Sequence, residues 1–148
     1  MNPPPRHATW LGYAGLLPFV GLAAAANLAP PPWAAHATTG LLAYGTSILS
    51  FMGAIHWGLA MRGGEDMPQS VANMRLLWGV TPSLVAWIAA MLGAAAGLWL
   101  IVGGLWACYA VDRRVYLVYG LRDWLPMRLV LTWGATLSCG LAAGRLLL

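Results

Sequence analysis

With 148 residues, 60% of them hydrophobic and only 8% charged, this chain has too little polar surface to cover a soluble core. Its formal net charge is +4, and all eight basic residues are arginines spread over several loops. That dispersal excludes the clustered cations of a nucleic-acid-binding protein. A single domain embedded in a lipid bilayer is the class that remains.

Five apolar segments follow one another along the sequence. They cover residues 10–29, 39–61, 76–92, 95–111 and 127–148. Each approaches the roughly 20 residues that a helix needs to cross about 30 Å of hydrocarbon. Helices also satisfy their own backbone polar groups in lipid. The sequence therefore predicts an all-α, polytopic membrane helical bundle with about five transmembrane helices, forming one domain over residues 1–148.

Three short stretches bear on how these segments begin and connect. Residues 93–97 are interpreted as a tight hairpin turn between the third and fourth helices, with a single long helix as the alternative. Residues 30–33 are interpreted as a stiff, proline-rich surface turn. The first segment resembles a signal peptide around Ala24, Ala25 and Ala26, but its apolar run exceeds the roughly 7–15 residues of a signal-peptide core.

The arginines predict the orientation of the bundle. Seven fall at the end where the N-terminus lies, namely Arg6, Arg62, Arg75, Arg113, Arg114, Arg122 and Arg128, and only Arg145 falls at the other. Because basic loops remain cytoplasmic, we predict a bacterial inner-membrane protein with a cytoplasmic N-terminus and a periplasmic C-terminus. The broken segment 115–125 mixes aromatic and charged residues, so it is predicted to lie along the inner interface.

His56 is an ionisable residue inside a predicted span. Such a residue is costly in lipid and usually faces a protein partner. It lies about 8 Å from the inner end of its predicted helix, with Ser50 and Gly53 on the same face. One interpretation is a packing histidine, and the other is a proton-linked, quinone-contacting or metal-ligating role.

Two more polar motifs lie at the same predicted depth. Pro82 bends the third helix, and its neighbours Thr81 and Ser83 either satisfy the freed carbonyls or reach across to another helix. Asp112 follows the fourth helix. It either anchors that helix at the interface in a pair with Arg113 or serves as the partner of His56.

These features together predict a pocket in the inner half of the bundle. The candidate ligand-binding residues are Tyr13, His56, Trp57, Trp78, Thr81, Ser83, Tyr109, Asp112 and Arg113. The outer half is predicted to be apolar and tightly packed. There Gly140 and Gly144 form a GxxxG spacing, which is a weak signal for a homodimer.

Catalytic motifs are missing from the sequence. It has no nucleotide-binding glycine loop, no zinc-protease or serine-hydrolase motif and no paired carboxylates within a span. Cys108 and Cys139 lie inside apolar segments without other ligands at metal-binding spacing, so we predict two small buried residues. We expect no enzymatic activity, no catalytic residue, no metal and no cofactor.

Several motifs resemble a known family. They are LGYAGLLPF at residues 11–19, IHWG at 55–58, WGV at 78–80, PS at 82–83, DRR at 112–114, and Arg128 with Leu131 and Thr132. Together they are similar to the family catalogued as domain of unknown function 3429, which includes transmembrane protein 69 of animals. The resemblance implies a multi-helix protein of the bacterial or mitochondrial inner membrane. It implies no known reaction and supplies no catalytic residues.

Three functions remain open from the sequence. The first is a non-catalytic accessory or assembly component of a membrane complex, whose partners besides the lipid bilayer are other membrane-protein subunits or a second copy. The second is a binding protein for a quinone or lipid, with its site near His56 in the inner leaflet. The third is a small channel or proton-coupled carrier, for which Tyr44, Thr46 and Ser47 would continue a polar route outward.

Overall fold

The computed structural model describes residues 3–64 and 67–147, which contain α-helices and no strand. The helices are α1 (Arg6–Ala14), α2 (Leu16–Leu28), α3 (Pro31–Gly63), α4 (Gln69–Met91), α5 (Ala94–Val118) and α6 (Leu125–Arg145), with a short 3-10 helix (Arg122–Trp124) before α6. The predicted all-α bundle is confirmed. Glu65 and Asp66, from the predicted loop after the second span, lie outside the described residues.

Four stretches of the described chain are long and apolar enough to cross a membrane. They are Arg6–Leu28, Pro31–Gly63, Gln69–Met91 and Ala94–Val118. The helix α6 is not among them, since it carries the buried polar residues Arg128, Thr132, Thr136 and Ser138. Its 21 residues reach about 31 Å, and it packs against α2 and α5. The fifth crossing remains a prediction.

The first predicted helix is interrupted at Gly15, between α1 and α2. Pro18 explains the break, because proline has no amide hydrogen to donate to the carbonyl of Ala14 and its ring crowds that carbonyl. The Tyr44 hydroxyl of α3 donates a hydrogen bond to the Gly15 carbonyl at 2.9 Å. This contact ties the break to the neighbouring helix.

Several helices extend beyond their predicted ends. The helix α3 begins at Pro31, well before residue 39, because prolines suit the first turn of a helix, where no backbone donor is needed. The predicted surface turn at residues 30–33 is therefore wrong for residues 31–33, which form the first turn of α3. The helix α4 begins at Gln69 rather than at residue 76, so Arg75 lies within it.

The predicted interfacial segment 115–125 is also largely helical. The helix α5 continues to Val118, because Val115 and Tyr116 are buried against Leu59 of α3 in a small apolar cluster. Trp124 packs against the same cluster. The segment therefore closes the N-terminal end of the bundle, which we define as the end where α1 and α4 begin and α3 and α5 end.

The turn between α4 and α5 consists of Leu92 and Gly93, so the two helices form a hairpin. Gly93 has a φ of 82° and a ψ of 171°, a backbone conformation that essentially only glycine adopts. The turn is shorter than the predicted stretch 93–97, since Gly97 lies within α5. There Gly97 faces the Ala89 carbonyl so closely that a Cβ atom would overlap with it.

The helices α3 and α4 approach each other closely at Gly53 and Gly79. A Cβ atom on Gly53 would overlap with the carbonyl oxygen of Gly79, and one on Gly79 would overlap with the ring of Trp57. Such backbone contact is the usual role of small residues between membrane helices. The GxxxG glycines contribute no comparable contact within the chain, because Gly144 has open space beside it and Gly140 has only ordinary contact with Trp99.

Candidate functional site

Three helices meet at a buried charge cluster formed by His56 of α3, Asp112 of α5 and Arg128 of α6. His56 Nε2 lies 3.2 Å from Asp112 Oδ1. Arg128 donates from Nε to Asp112 Oδ2 at 3.0 Å, and its Nη2 donates to the same oxygen. The carboxylate therefore accepts from both basic side chains, and we call these three residues the charge cluster.

Burial makes the interactions within this cluster important for stability. His56 and Asp112 are each 1% exposed and Arg128 is 7% exposed. Removing ions from water costs several kcal/mol per ion, and this cost is offset only when partners and hydrogen bonds are in place. Asp112 is therefore the residue on which the cluster depends, because it is the anion that both other side chains share.

The helices bring these residues to a similar depth. His56 lies about 10 Å from the end of α3 at Gly63, and Asp112 about 9 Å from the end of α5 at Val118. Arg128 lies in the first turn of α6. Its long side chain reaches from there to Asp112.

The other face of His56 contacts Trp78 of α4. Their rings pack edge to face with centroids 6.3 Å apart. The Nδ1 atom of His56 and the indole nitrogen of Trp78 are both buried without a hydrogen-bond partner among the described residues. Trp57 lies beside them and donates from its indole nitrogen to the Leu76 carbonyl at 3.1 Å. His56 is thus enclosed between α3, α4 and α5.

An apolar crevice opens on the Arg128 side of the charge cluster, between α1, α3 and α6. Its volume is about 530 Å³. The walls include Leu11, Phe51, Ile55, Tyr116, Trp124 and Leu131, and Arg128 contributes the one charged side chain among the described lining residues. A smaller cavity of about 170 Å³ continues along α2 and α6 to Phe19 and shares Arg128 and Leu131 with the crevice.

The size and lining of the crevice fall within the range found for small-molecule pockets. Small-molecule pockets typically measure about 300–1,000 Å³ and combine apolar walls with a few polar groups that fix orientation. Arg128 supplies that polar group here. Its Nη1 atom contacts the sulfur of Met52, which is only a weak acceptor.

The structure brings together four of the predicted site residues and separates the others. His56, Trp57, Trp78 and Asp112 lie at one level where α3, α4 and α5 meet. Thr81 and Tyr13 are exposed on the outer faces of α4 and α1, and the Thr81 hydroxyl donates to the Leu77 carbonyl of its own helix. Ser83 lines a shallow surface groove between α3 and α4, on the opposite side of α3 from the crevice.

Arg113 and Tyr109 are also outside the charge cluster. Arg113 is exposed, because one residue of helix turns its side chain about 100° away from that of Asp112. The predicted Asp112–Arg113 pair is therefore wrong, and the alternative partner, His56, is the one found. Tyr109 packs edge to face against Trp106.

Arg128 is the member of the charge cluster that sequence reasoning missed. Its position at the start of the fifth apolar segment predicts an orientation signal, whereas the side chain is buried in the ion pair with Asp112. The available signal was the spacing of Arg128, Thr132 and Thr136, which places three polar residues on one face of α6. All three are buried. Arg75 is likewise buried, with its guanidinium 5.7 Å from the ring centre of Tyr119.

The residues proposed for an outward polar route bond to nearby backbone instead. Thr46 and Ser47 both donate to the Ala43 carbonyl of their own helix, and Tyr44 donates to Gly15. Cys108 and Cys139 are buried and unpaired, as predicted. Within the described ranges, no three His, Cys, Asp or Glu side chains form a group that could hold a metal ion.

A helical bundle with four stretches long and apolar enough to cross a membrane defines a multi-pass membrane protein. The chain belongs to the family described as protein of unknown function DUF3429, whose model matches residues 4–144. It is also similar to transmembrane protein 69 of Xenopus tropicalis, with 40% identity over 87 residues. That match covers 57% of this chain but only 32% of the relative. No solved structure matches the chain.

Proposed function

We propose that this protein binds a small amphipathic molecule from the bilayer, with its polar end at Arg128 and its apolar part in the crevice and in the smaller cavity that continues from it. One observation carries the proposal: an ion-paired, nearly buried arginine forms part of the wall of an otherwise apolar crevice of about 530 Å³. This proposal moves the predicted ligand site from His56 to the opposite side of Asp112, and it assigns the protein no reaction.

Native mass spectrometry of protein extracted in a mild detergent tests the proposal. We expect one amphipathic molecule to remain bound to the wild-type chain and to be lost in Leu131→Trp, because the larger side chain fills the crevice. Val130→Trp is the matched control, since Val130 is the adjacent residue of α6, is 48% exposed and does not line the crevice. An adduct that persists in Leu131→Trp would contradict a site at this position.

A role as an accessory subunit is the second candidate. It is supported by the shallow groove between α3 and α4 on the outer surface, which carries Thr46, Ser47, Ser50 and Ser83. Hydroxyl and small side chains are common where membrane helices associate. We expect partner subunits, or a second copy, to co-purify in mild detergent and to be lost in Ser83→Leu. A wild-type chain that purifies alone as a monomer would contradict this role.

The proposed location is the bacterial inner membrane, with the N-terminal end of the bundle in the cytoplasm. Five exposed arginines lie at or near that end, namely Arg6, Arg62, Arg113, Arg114 and Arg122, against Arg145 at the other. The other two arginines are buried and carry no orientation signal. The excess of arginines at the N-terminal end is therefore smaller than the sequence suggests, but it still favours a cytoplasmic location for that end.

Reporter fusions in a bacterial host test this orientation. Alkaline phosphatase fused after the C-terminus is expected to be active, because it folds only in the periplasm, and a green fluorescent protein at the same position is expected to be dark. The same two reporters at the N-terminus should give the reverse pattern. A fluorescent C-terminal fusion would place both ends on one side and would contradict a fifth crossing by α6.

A further inference from the structure

The charge balance of the site restricts the polar end of its ligand. The positive charge of Arg128 is already offset by Asp112, whose carboxylate it contacts through Nε and Nη2. In a medium of low dielectric constant, a second anion beside this carboxylate would be repelled strongly. A headgroup with a full negative charge is therefore disfavoured at Arg128, in contrast to a site built around an unpaired arginine.

The hydrogen-bonding capacity of Arg128 points to an acceptor. A guanidinium carries five N–H donors in a fixed fork. Asp112 accepts from Nε and Nη2, and one Nη1 donor faces the weakly accepting sulfur of Met52. Three N–H groups thus have no oxygen acceptor among the described residues: one on Nη2 and both on Nη1, one of which faces the sulfur. A ligand that brings a neutral oxygen would satisfy these donors.

The shape of the crevice suits a molecule with a compact head and a long apolar tail. Phe51, Tyr116 and Trp124 line the wide part beside Arg128, where aromatic side chains provide flat contact surfaces. The narrower cavity then runs past Gly12 and Gly15 to Phe19. A tail in this cavity would lie along α2 and α6.

From these three observations we infer that the ligand presents a neutral carbonyl oxygen to Arg128 at the head of an apolar tail. This inference rests on the proposed function and makes it more specific. Two membrane sources share this chemistry, the ring carbonyl of a quinone and the ester carbonyl of a neutral lipid. Neither requires a change in the ion pair, because the spare N–H groups make the new hydrogen bonds.

The experiment measures saturable binding of three probes to the purified full chain in detergent micelles, by ultrafiltration with correction for partition into micelles. The probes are a decyl-substituted benzoquinone, monooleoylglycerol and dodecyl phosphate. We expect one neutral probe per chain and at least about tenfold weaker binding of dodecyl phosphate, because the Asp112 carboxylate repels its negative charge. The neutral probe that binds with the higher affinity identifies the source of the carbonyl.

Two variants separate the inference from the proposed function. Leu131→Trp should abolish binding of the neutral probes while Val130→Trp retains it. Arg128→Lys keeps a cation for Asp112 but loses the planar set of guanidinium donors. The affinity for the neutral probes should therefore fall by about tenfold. If dodecyl phosphate binds as tightly as the neutral probes and is blocked by Leu131→Trp, the carbonyl inference is overturned and the site stands. If no probe saturates, or Leu131→Trp changes nothing, both fail.

Discussion

Replacing Asp112 with asparagine is expected to lower the free energy of unfolding by about 3–5 kcal/mol, the usual cost of removing one partner from a buried ion pair. The variant leaves Arg128 buried without an anion, and one neutral amide oxygen replaces the two carboxylate oxygens that face His56 and Arg128. Unfolding by added sodium dodecyl sulfate, followed by circular dichroism, measures the change. The amount of protein in isolated membranes should fall in parallel.

Two further variants show whether this loss comes from the ion pair. Asp123→Asn is the matched control, because Asp123 lies in the 3-10 helix outside the charge cluster, and its stability should stay close to wild type. The double variant Asp112→Asn with Arg128→Met should be more stable than Asp112→Asn alone, since it removes the uncompensated cation. Additive losses in the double variant would show that the two side chains do not interact.

Gly53→Ala is expected to have the second large effect, a loss of about 1–3 kcal/mol typical of overpacking. The added methyl group would overlap with the Gly79 carbonyl and would also lie 3.3 Å from Pro82 Cδ. Backbone atoms cannot move aside as a flexible side chain can, so α3 and α4 must separate. The same detergent unfolding assay measures the loss.

Gly58→Ala on the same helix is the matched control for that prediction. Nothing lies within 4 Å of the position where its Cβ atom would be placed. Alanine there should be neutral or stabilise the helix by about 0.5–1 kcal/mol, because it loses less conformational entropy than glycine. Equal effects at Gly53 and Gly58 would mean that α3 and α4 do not approach as closely as described.

The helical class was predictable because it follows from bulk composition. An 8% charged chain with long apolar runs has few folding options other than a membrane bundle. The ends of the helices were less predictable, since tertiary contacts decide them. Val115 and Tyr116 look interfacial in sequence, but burial against Leu59 keeps them in α5.

The charge cluster was only half predictable for a related reason. His56 inside a span requires a partner. The sequence leaves two roles open for Asp112, either as that partner or as an ion pair with Arg113. The choice between Arg113 and Arg128 as the partner of Asp112 depends on the rotation of α5 and α6 about their axes, which packing sets. An arginine that opens an apolar segment has the same sequence signature whether it faces headgroups or the bundle interior.

We propose that Arg128 presents its guanidinium to a ligand in the crevice between α1, α3 and α6. An experimental structure of the full chain in lipid nanodiscs tests it most directly. We predict continuous elongated density in the crevice, with an oxygen about 3 Å from a terminal nitrogen of Arg128 and the Asp112 contact intact. A crevice filled by side chains from α1 and α6, with Arg128 closed off from it, would contradict the claim.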